Sequence, residues 1–321
     1  MDQRQNTEYG LLRTYARLSF TGDNAVAYGT TNQALFEFAY IQLGGFTFGK
    51  FQNPYEHTYW NTGWIPYGLN GEGGMDNTSG NGVAYTASLG NGITATVAAR
   101  ASNETKAPTA GTLVLADGQA APDGVVALEA VQSWGKAKLS GAVHQVRFAA
   151  GTTSIPSTEY GFGAGAGVQI NLPMLAAGDF IGFGAQYAHG ANLYGGVATF
   201  RGGQTTLATV DAVSNAAGTV TKLSTTWGVN AGFDHYWTKT VDTNIFAGYA
   251  SYENSNLTAG ATKAKHLTIG QYTKWTPIAG LQIGVETDYR KNSGGAIVAV
   301  TNGKLTEKSD FTGRLRVQRD F

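Results

Sequence analysis

Cysteine is absent from the 321 residues, proline is scarce at seven, and charged residues reach only 14%. Without a thiol there is no disulfide framework, no thiolate metal site and no cysteine nucleophile. Seven prolines without a period exclude collagen-like repeats. Lys and Arg together number 22, as do Asp and Glu, so the net charge is zero, and the chain is not a strongly basic nucleic-acid binder. No apolar run approaches the ~18 residues of a transmembrane helix, and the mean hydropathy of −0.17 is far from that of a helical membrane protein. The opening MDQRQNTEYG has no positive stretch leading into an apolar one, so no signal peptide is visible. Ordinary soluble domains carry roughly 25% charged residues, and this chain has too few to solvate a compact surface.

Glycine, by contrast, is plentiful at 45 residues, aromatics make up 12%, and the dominant pattern has a period of two. Val83, Tyr85, Ala87 and Leu89 alternate with Ala84, Thr86 and Ser88; after the hairpin dipeptide Asn91-Gly92, Ile93, Ala95, Val97 and Ala99 alternate with Thr94, Thr96 and Arg100. Leu281, Ile283, Val285 and Tyr289 oppose Gln282, Glu286, Asp288 and Arg290, and Phe311, Leu315 and Val317 oppose Thr312, Arg314, Arg316 and Gln318. Such alternation puts one face of each strand in an apolar medium and the other in water.

The pattern predicts fourteen strands, over 7–20, 33–43, 45–51, 81–89, 92–100, 124–134, 136–148, 160–171, 179–188, 223–236, 240–252, 264–275, 281–291 and 306–321. Long connections (21–32, 52–80, 101–123, 149–159, 189–222, 253–263 and 292–305) alternate with short ones. A meander with long loops at one end and tight turns at the other is the layout of a transmembrane antiparallel up-and-down β-barrel, with extracellular loops and periplasmic turns. A sandwich would break this alternation with Greek-key connections, a propeller would show a repeat of fixed period, and a lipocalin stops at eight strands. Tyr40, Phe46, Trp134, Tyr187, Trp237, Trp275 and Tyr289 fall near strand ends, where aromatic girdles meet the headgroups. The whole of 1–321 reads as one barrel domain in a bacterial outer membrane, with the lipid bilayer as its surroundings.

TEYGLLRTYARLSF (7–20), FAYIQLGGFTFGK (38–50), VAYTASLGNGITATVAAR (83–100) and the terminal GRLRVQRDF (313–321) resemble the alphaproteobacterial general porins. The resemblance implies sixteen strands, a homotrimer, and a constriction loop folded into the lumen. It also implies that Phe321 is a C-terminal signal read by the outer-membrane assembly machinery. Members of that family begin with a signal peptide and further strands. Here loop 52–80 follows the third predicted strand rather than the fifth, so the expectation is a chain lacking its first two strands. A fourteen-stranded sheet of this kind is expected to close by antiparallel pairing of 7–20 with 306–321, with Met1 and Phe321 both on the turn side.

A porin does no bond chemistry; its function is a water-filled hole with a size limit and an electrostatic filter for small hydrophilic solutes and ions. Loop 52–80 carries Glu56, Glu72 and Asp76 with no Lys or Arg, plus Tyr55, Tyr59, Trp60, Trp64 and Tyr67 to pack it inward. Strand parity turns Arg13, Arg17, Arg314 and Arg316 toward the lumen, with Arg100 and Arg290 nearer the loop end. An acidic loop facing an arginine wall makes a transverse field that orders dipolar solutes. Enzyme readings find no support: the five His are scattered, and HExxH, GxSxG and P-loop patterns are missing. The row Gly161, Gly163, Gly165, Gly167 alternates with Phe162, Ala164 and Ala166 in a strand, where small residues let a neighbouring element or subunit approach the wall. No cofactor or metal is expected. The alternative function is a substrate-specific channel in which lumen aromatics form a sugar slide.

Overall fold

The computed structural model describes residues 1–21, 33–56, 79–101, 120–147, 158–196, 199–202, 205–208, 211–214, 221–253, 263–294 and 308–320. One antiparallel sheet takes in β1 (Asp2–Thr7), β2 (Gly10–Thr21), β3 (Gln33–Leu43), β4 (Phe46–Gln52), β5 (Ser79–Gly90), β6 (Ile93–Arg100), β7 (Asp123–Gln132), β8 (Gly135–Arg147), β9 (Thr158–Asn171) and β10 (Phe180–His189). It continues through β15 (Thr225–Thr238), β16 (Val241–Glu253), β17 (Lys263–Ile278), β18 (Leu281–Gly294) and β19 (Lys308–Arg319). Every strand pairs with its neighbours in sequence, apart from one long excursion between β10 and β15. That excursion holds a 3₁₀ turn (Asn192–Gly195) and two small hairpins, β11 (Thr199–Gly202) with β12 (Thr205–Ala208) and β13 (Ala212–Ser214) with β14 (Thr221–Leu223).

The hydrocarbon side is read directly from the alternation. On β19, Phe311, Leu315 and Val317 are 74%, 70% and 63% exposed, whereas on β18 Glu286, Asp288 and Arg290 are buried on the opposite face. This inversion, with apolar groups outside and ionic groups inside, belongs to a barrel wall with a wet lumen. Phe46, Trp134, Trp237 and Trp275 are exposed at the turn end, and Tyr187 and Tyr289 are exposed nearer the loop end, as girdles require. Tyr40 departs from that expectation: it points into the lumen and stacks on Tyr15, with ring centroids 5.1 Å apart. The Asn91-Gly92 turn is formed as the dipeptide predicts, with φ of 50° and 70°.

The strand count and the closure differ from expectation. The sheet has fifteen strands, because Asp2–Thr7 forms a hairpin with β2 in which Asp2 opposite Tyr15 and Thr7 opposite Gly10 are the end pairs. DQRQNT has no apolar member and so no alternation to read. Its exposed residues sit at the sheet edge, and Thr7 Oγ1 closes the turn onto the Gly10 carbonyl at 2.7 Å. An odd number of antiparallel strands leaves β1 and β19 running in the same direction, so they cannot form the antiparallel seam expected of 7–20 and 306–321. Among the described residues they are not paired. Met1 is not on the turn side either, since its ammonium bonds the Ala16 carbonyl partway up the wall. The connection 53–78 consequently follows the fourth strand rather than the third.

Replacing Leu315 or Val285 with Arg sets a charge on the lipid face and should cost about 2–4 kcal/mol near the bilayer midplane. The same replacement at Gln318, on the wet face, should cost far less. Denaturant unfolding in lipid vesicles reads the difference.

Candidate functional site

Residues 53–56, leaving β4, cross to the inner face of β8, four strands along the wall. Asn53 shapes the turn: its Oδ1 accepts the Tyr55 amide at 3.1 Å, and its carbonyl accepts the Glu56 amide at 3.1 Å. Ser140 Oγ then donates to the Tyr55 carbonyl at 2.9 Å, and Lys138 Nζ donates to the Glu56 carbonyl at 2.7 Å. The Glu56 carboxylate accepts Gln52 Nε2 at 2.6 Å. Lys138 also lies 3.7 Å from Glu129. Buried Arg100 of β6 interacts electrostatically with Glu56 and Asp123 and donates to the Tyr194 hydroxyl.

A second segment enters the lumen from the connection between β10 and β15, in contrast to the wholly extracellular loop that the strand alternation predicts for 189–222. Residues 190–192, 194 and 195 are buried, and the 3₁₀ turn packs on β9, β10 and β15. Tyr194 meets Tyr55 edge-on with ring centroids 4.9 Å apart, and Tyr55 Oη donates to the Tyr194 carbonyl at 2.8 Å. Burial raises both phenol pKa values far above the ordinary tyrosine range, so both rings stay neutral. Tyr194 Oη donates to Asp123 Oδ2 at 2.7 Å, and Asp123 Oδ1 holds His144 Nδ1 at 2.8 Å. Farther along the same connection, Asp211 Oδ1 accepts the Asn192 amide at 2.6 Å, and its other oxygen lies 3.8 Å from His144 Nε2. β11 continues across to touch β18 and β19.

The glycine row on β9 admits this segment. A Cβ on Gly163 would lie 2.4 Å from Tyr194 Cβ, and one on Gly161 would lie 2.1 Å from the Gly190 carbonyl oxygen. Small residues here let a neighbouring element of the same chain reach the wall.

Beside residues 52–54 is a cavity of about 570 Å³, lined by Arg13, Tyr15, Tyr40, Phe51, Glu129 and Lys138 among others. Arg13 is pinned by Asp2 (2.8 and 3.0 Å) and sits 5.0 Å from the Tyr15 ring centre. Arg17 is matched by Glu37 at 2.6 Å, where the β2–β3 register slips by one residue, and lies over Phe38. Arg314 pairs with Glu286 at 3.4 Å, with Arg316 near the same carboxylate, on β18 and β19 rather than beside residues 53–56. Arg290 pairs with Asp288 at 2.8 Å. Glu72, Asp76 and Phe321 lie outside the described residues. The structure thus brings Arg13, Arg100 and Glu56 toward one region and adds Lys138, Ser140, Asp123, His144, Tyr194 and Asp211. Of these, Lys138, Ser140 and His144 left a readable signal: they share one face of β8, opposite Leu139 and Val143. Among the described residues no group of three or more His, Asp or Glu side chains is arranged to hold a metal ion.

The profile of the Porin subfamily matches residues 1–313. Among solved structures, the outer membrane channel DcaP of Acinetobacter baumannii superposes with a TM-score of 0.77 at 13% identity, over 100% of this chain and 83% of its own. The anion-selective porin of Comamonas acidovorans gives 0.59 at 14% identity, over 99% and 87%. OmpT of Vibrio cholerae, in its trimer form, gives 0.52 at 8% identity, over 99% and 89%. No curated protein sequence matches the chain.

Gly163→Ala should push Tyr194, and with it Tyr55, off the wall. That displacement is toward the lumen axis, so single-channel conductance should fall while the variant still folds as a barrel, and unchanged conductance would show that the two tyrosines do not narrow the path.

Proposed function

From the premise that this chain belongs to the porin subfamily, and is therefore an outer-membrane β-barrel channel for small hydrophilic solutes and ions, we propose that its ion preference is set where residues 53–56 meet the β6–β8 wall. The observation carrying this reading is the pair of bonds from Lys138 and Ser140 to the Glu56 and Tyr55 carbonyls. They hold an acidic segment directly against cationic wall residues on the lumen face. Charges of opposite sign facing each other over a narrow wet gap produce a transverse field, which favours polar solutes that can align with it and disfavours apolar ones. Arg13, across the adjoining cavity, adds to the cationic side. Glu72 and Asp76 are proposed to extend the acidic side. Arg17, Arg314 and Arg316 have carboxylates of the wall beside them and are proposed to line the passage rather than to define its narrowest point.

Homotrimeric assembly, recognition of Phe321 by the assembly machinery, and the absence of bond chemistry belong to the same reading. Support for the trimer comes from the trimer form of the Vibrio cholerae neighbour. The sugar-specific alternative draws on the aromatic lining of the cavity, Tyr15, Phe38, Tyr40 and Phe51. Current block by low concentrations of a sugar would favour it, and unblocked current in a sugar series favours general diffusion.

Two substitutions should move the reversal potential in a salt gradient in opposite directions. Glu56→Gln removes an anion and should shift preference toward anions, whereas Lys138→Met should shift it toward cations. If neither shifts, the 53–56 contact does not filter ions.

A further inference from the structure

We propose that His144 is a proton-operated latch, which when doubly protonated clamps Asp123 of the wall to Asp211 of the 190–224 connection and so holds the lumen narrow. This rests on the channel reading above and adds a control to it. The imidazole lies between two buried carboxylates that belong to different parts of the chain. Asp123 begins β7 and is fixed by Tyr194 Oη at 2.7 Å as well as by His144 Nδ1 at 2.8 Å. Asp211 belongs to the connection, where its Oδ1 caps the Asn192 amide at 2.6 Å and its backbone carbonyl accepts the Ser224 amide at 2.9 Å. Its Oδ2 is 3.8 Å from His144 Nε2. All three side chains are nearly inaccessible, at 2–3% exposure.

A neutral imidazole donates from one nitrogen and presents a lone pair from the other. With the Nδ1 proton directed to Asp123, the neutral ring turns a lone pair toward the Asp211 carboxylate. Protonation at Nε2 replaces that repulsion with an ion pair. Among the described residues, the other charged or titratable groups around this cluster include Arg100 of β6, Glu56 and Tyr55 of the inward segment, Lys138 of β8 beside Glu56, and Tyr194 of the 3₁₀ turn. β9 brings only Gly161 directly opposite His144.

The sign follows by linkage. Asp211 is adjacent only in the clamped state, so that state binds the proton more tightly than the released one. The clamp forms at the acidic end of the range in which histidine changes charge and is lost as pH rises. Release frees the Asn192–Gly195 turn, and with it Tyr194 and its contact with Tyr55.

The test is single-channel conductance of the full chain in planar bilayers between about pH 5 and about pH 8, the range in which histidine changes charge. Conductance of the parent should rise with pH, and it should be flat with pH in His144→Gln and in Asp211→Asn. Because the chain has no cysteine, Leu193→Cys gives a second readout. Its reaction with a water-soluble thiol reagent, normalised at each pH to the same thiol in the denatured chain, should speed up as pH rises. It should lose that dependence when combined with Asp211→Asn, a change in the connection rather than the wall, which keeps the test open should His144→Gln fail to assemble. Parent conductance that is flat with pH, or variants that follow the parent, would overturn the latch. A chain that opens no channel at any pH would instead overturn the channel reading itself.

Discussion

Hydrocarbon leaves no partner for a backbone amide, and each one left unpaired there costs several kcal/mol. That constraint determines the rest of this molecule. It forces the chain into a meander whose ladders satisfy every interior strand, and the two-residue period of those strands then separates lipid from water with no further instruction. The phenylalanines, leucines and valines of β19 and β18 face outward, and Glu286, Asp288, Arg290 and Arg314 face inward as a consequence of parity alone. With an odd number of strands, the two edges run the same way, and among the described residues they are not paired.

A wall of this kind has a polar inner face, and the chain lays segments of its own against it. Two segments enter, 53–56 and the beginning of the 190–224 connection, and they meet at Tyr55 and Tyr194. Each is secured by a different kind of bond. The first offers backbone carbonyls to Lys138 and Ser140, which fixes its path while leaving the Glu56 carboxylate for Gln52 and the neighbouring cations. The second is held by side chains, through the Asp123–His144 pair and Asp211.

Much of the wall was legible in the sequence because periodicity is a local property: strands such as 33–43 and 160–171, the Asn91-Gly92 turn and the inward parity of Arg13, Arg314 and Arg316 all follow from neighbouring residues. Asp2–Thr7 escaped because an edge strand made of polar residues has no alternation. The 190–224 connection escaped for a different reason. Its inward path depends on contacts between residues far apart in sequence, such as Tyr55 with Tyr194 across 139 positions, and no window of sequence contains them. The glycines of β9 held a partial clue, since a row of small residues on a lumen face signals a close approach without naming what approaches. The cations beside Glu56 are Lys138 and Arg100 rather than the arginines of β2 and β19, because the turn at Asn53 carries the segment toward β8.

The central claim is that two inward segments support each other at Tyr55 and Tyr194, and a double-mutant cycle on those residues tests it most directly. Tyr55→Leu, Tyr194→Leu and the double variant would be compared by unfolding free energy in lipid vesicles, with conductance recorded on the same samples. A mutually packed, edge-on pair predicts non-additive losses, with a coupling of about 0.5–1.5 kcal/mol, and a double variant whose conductance is no higher than that of the more open single variant. Strictly additive free energies, with each variant opening the channel independently, would contradict it.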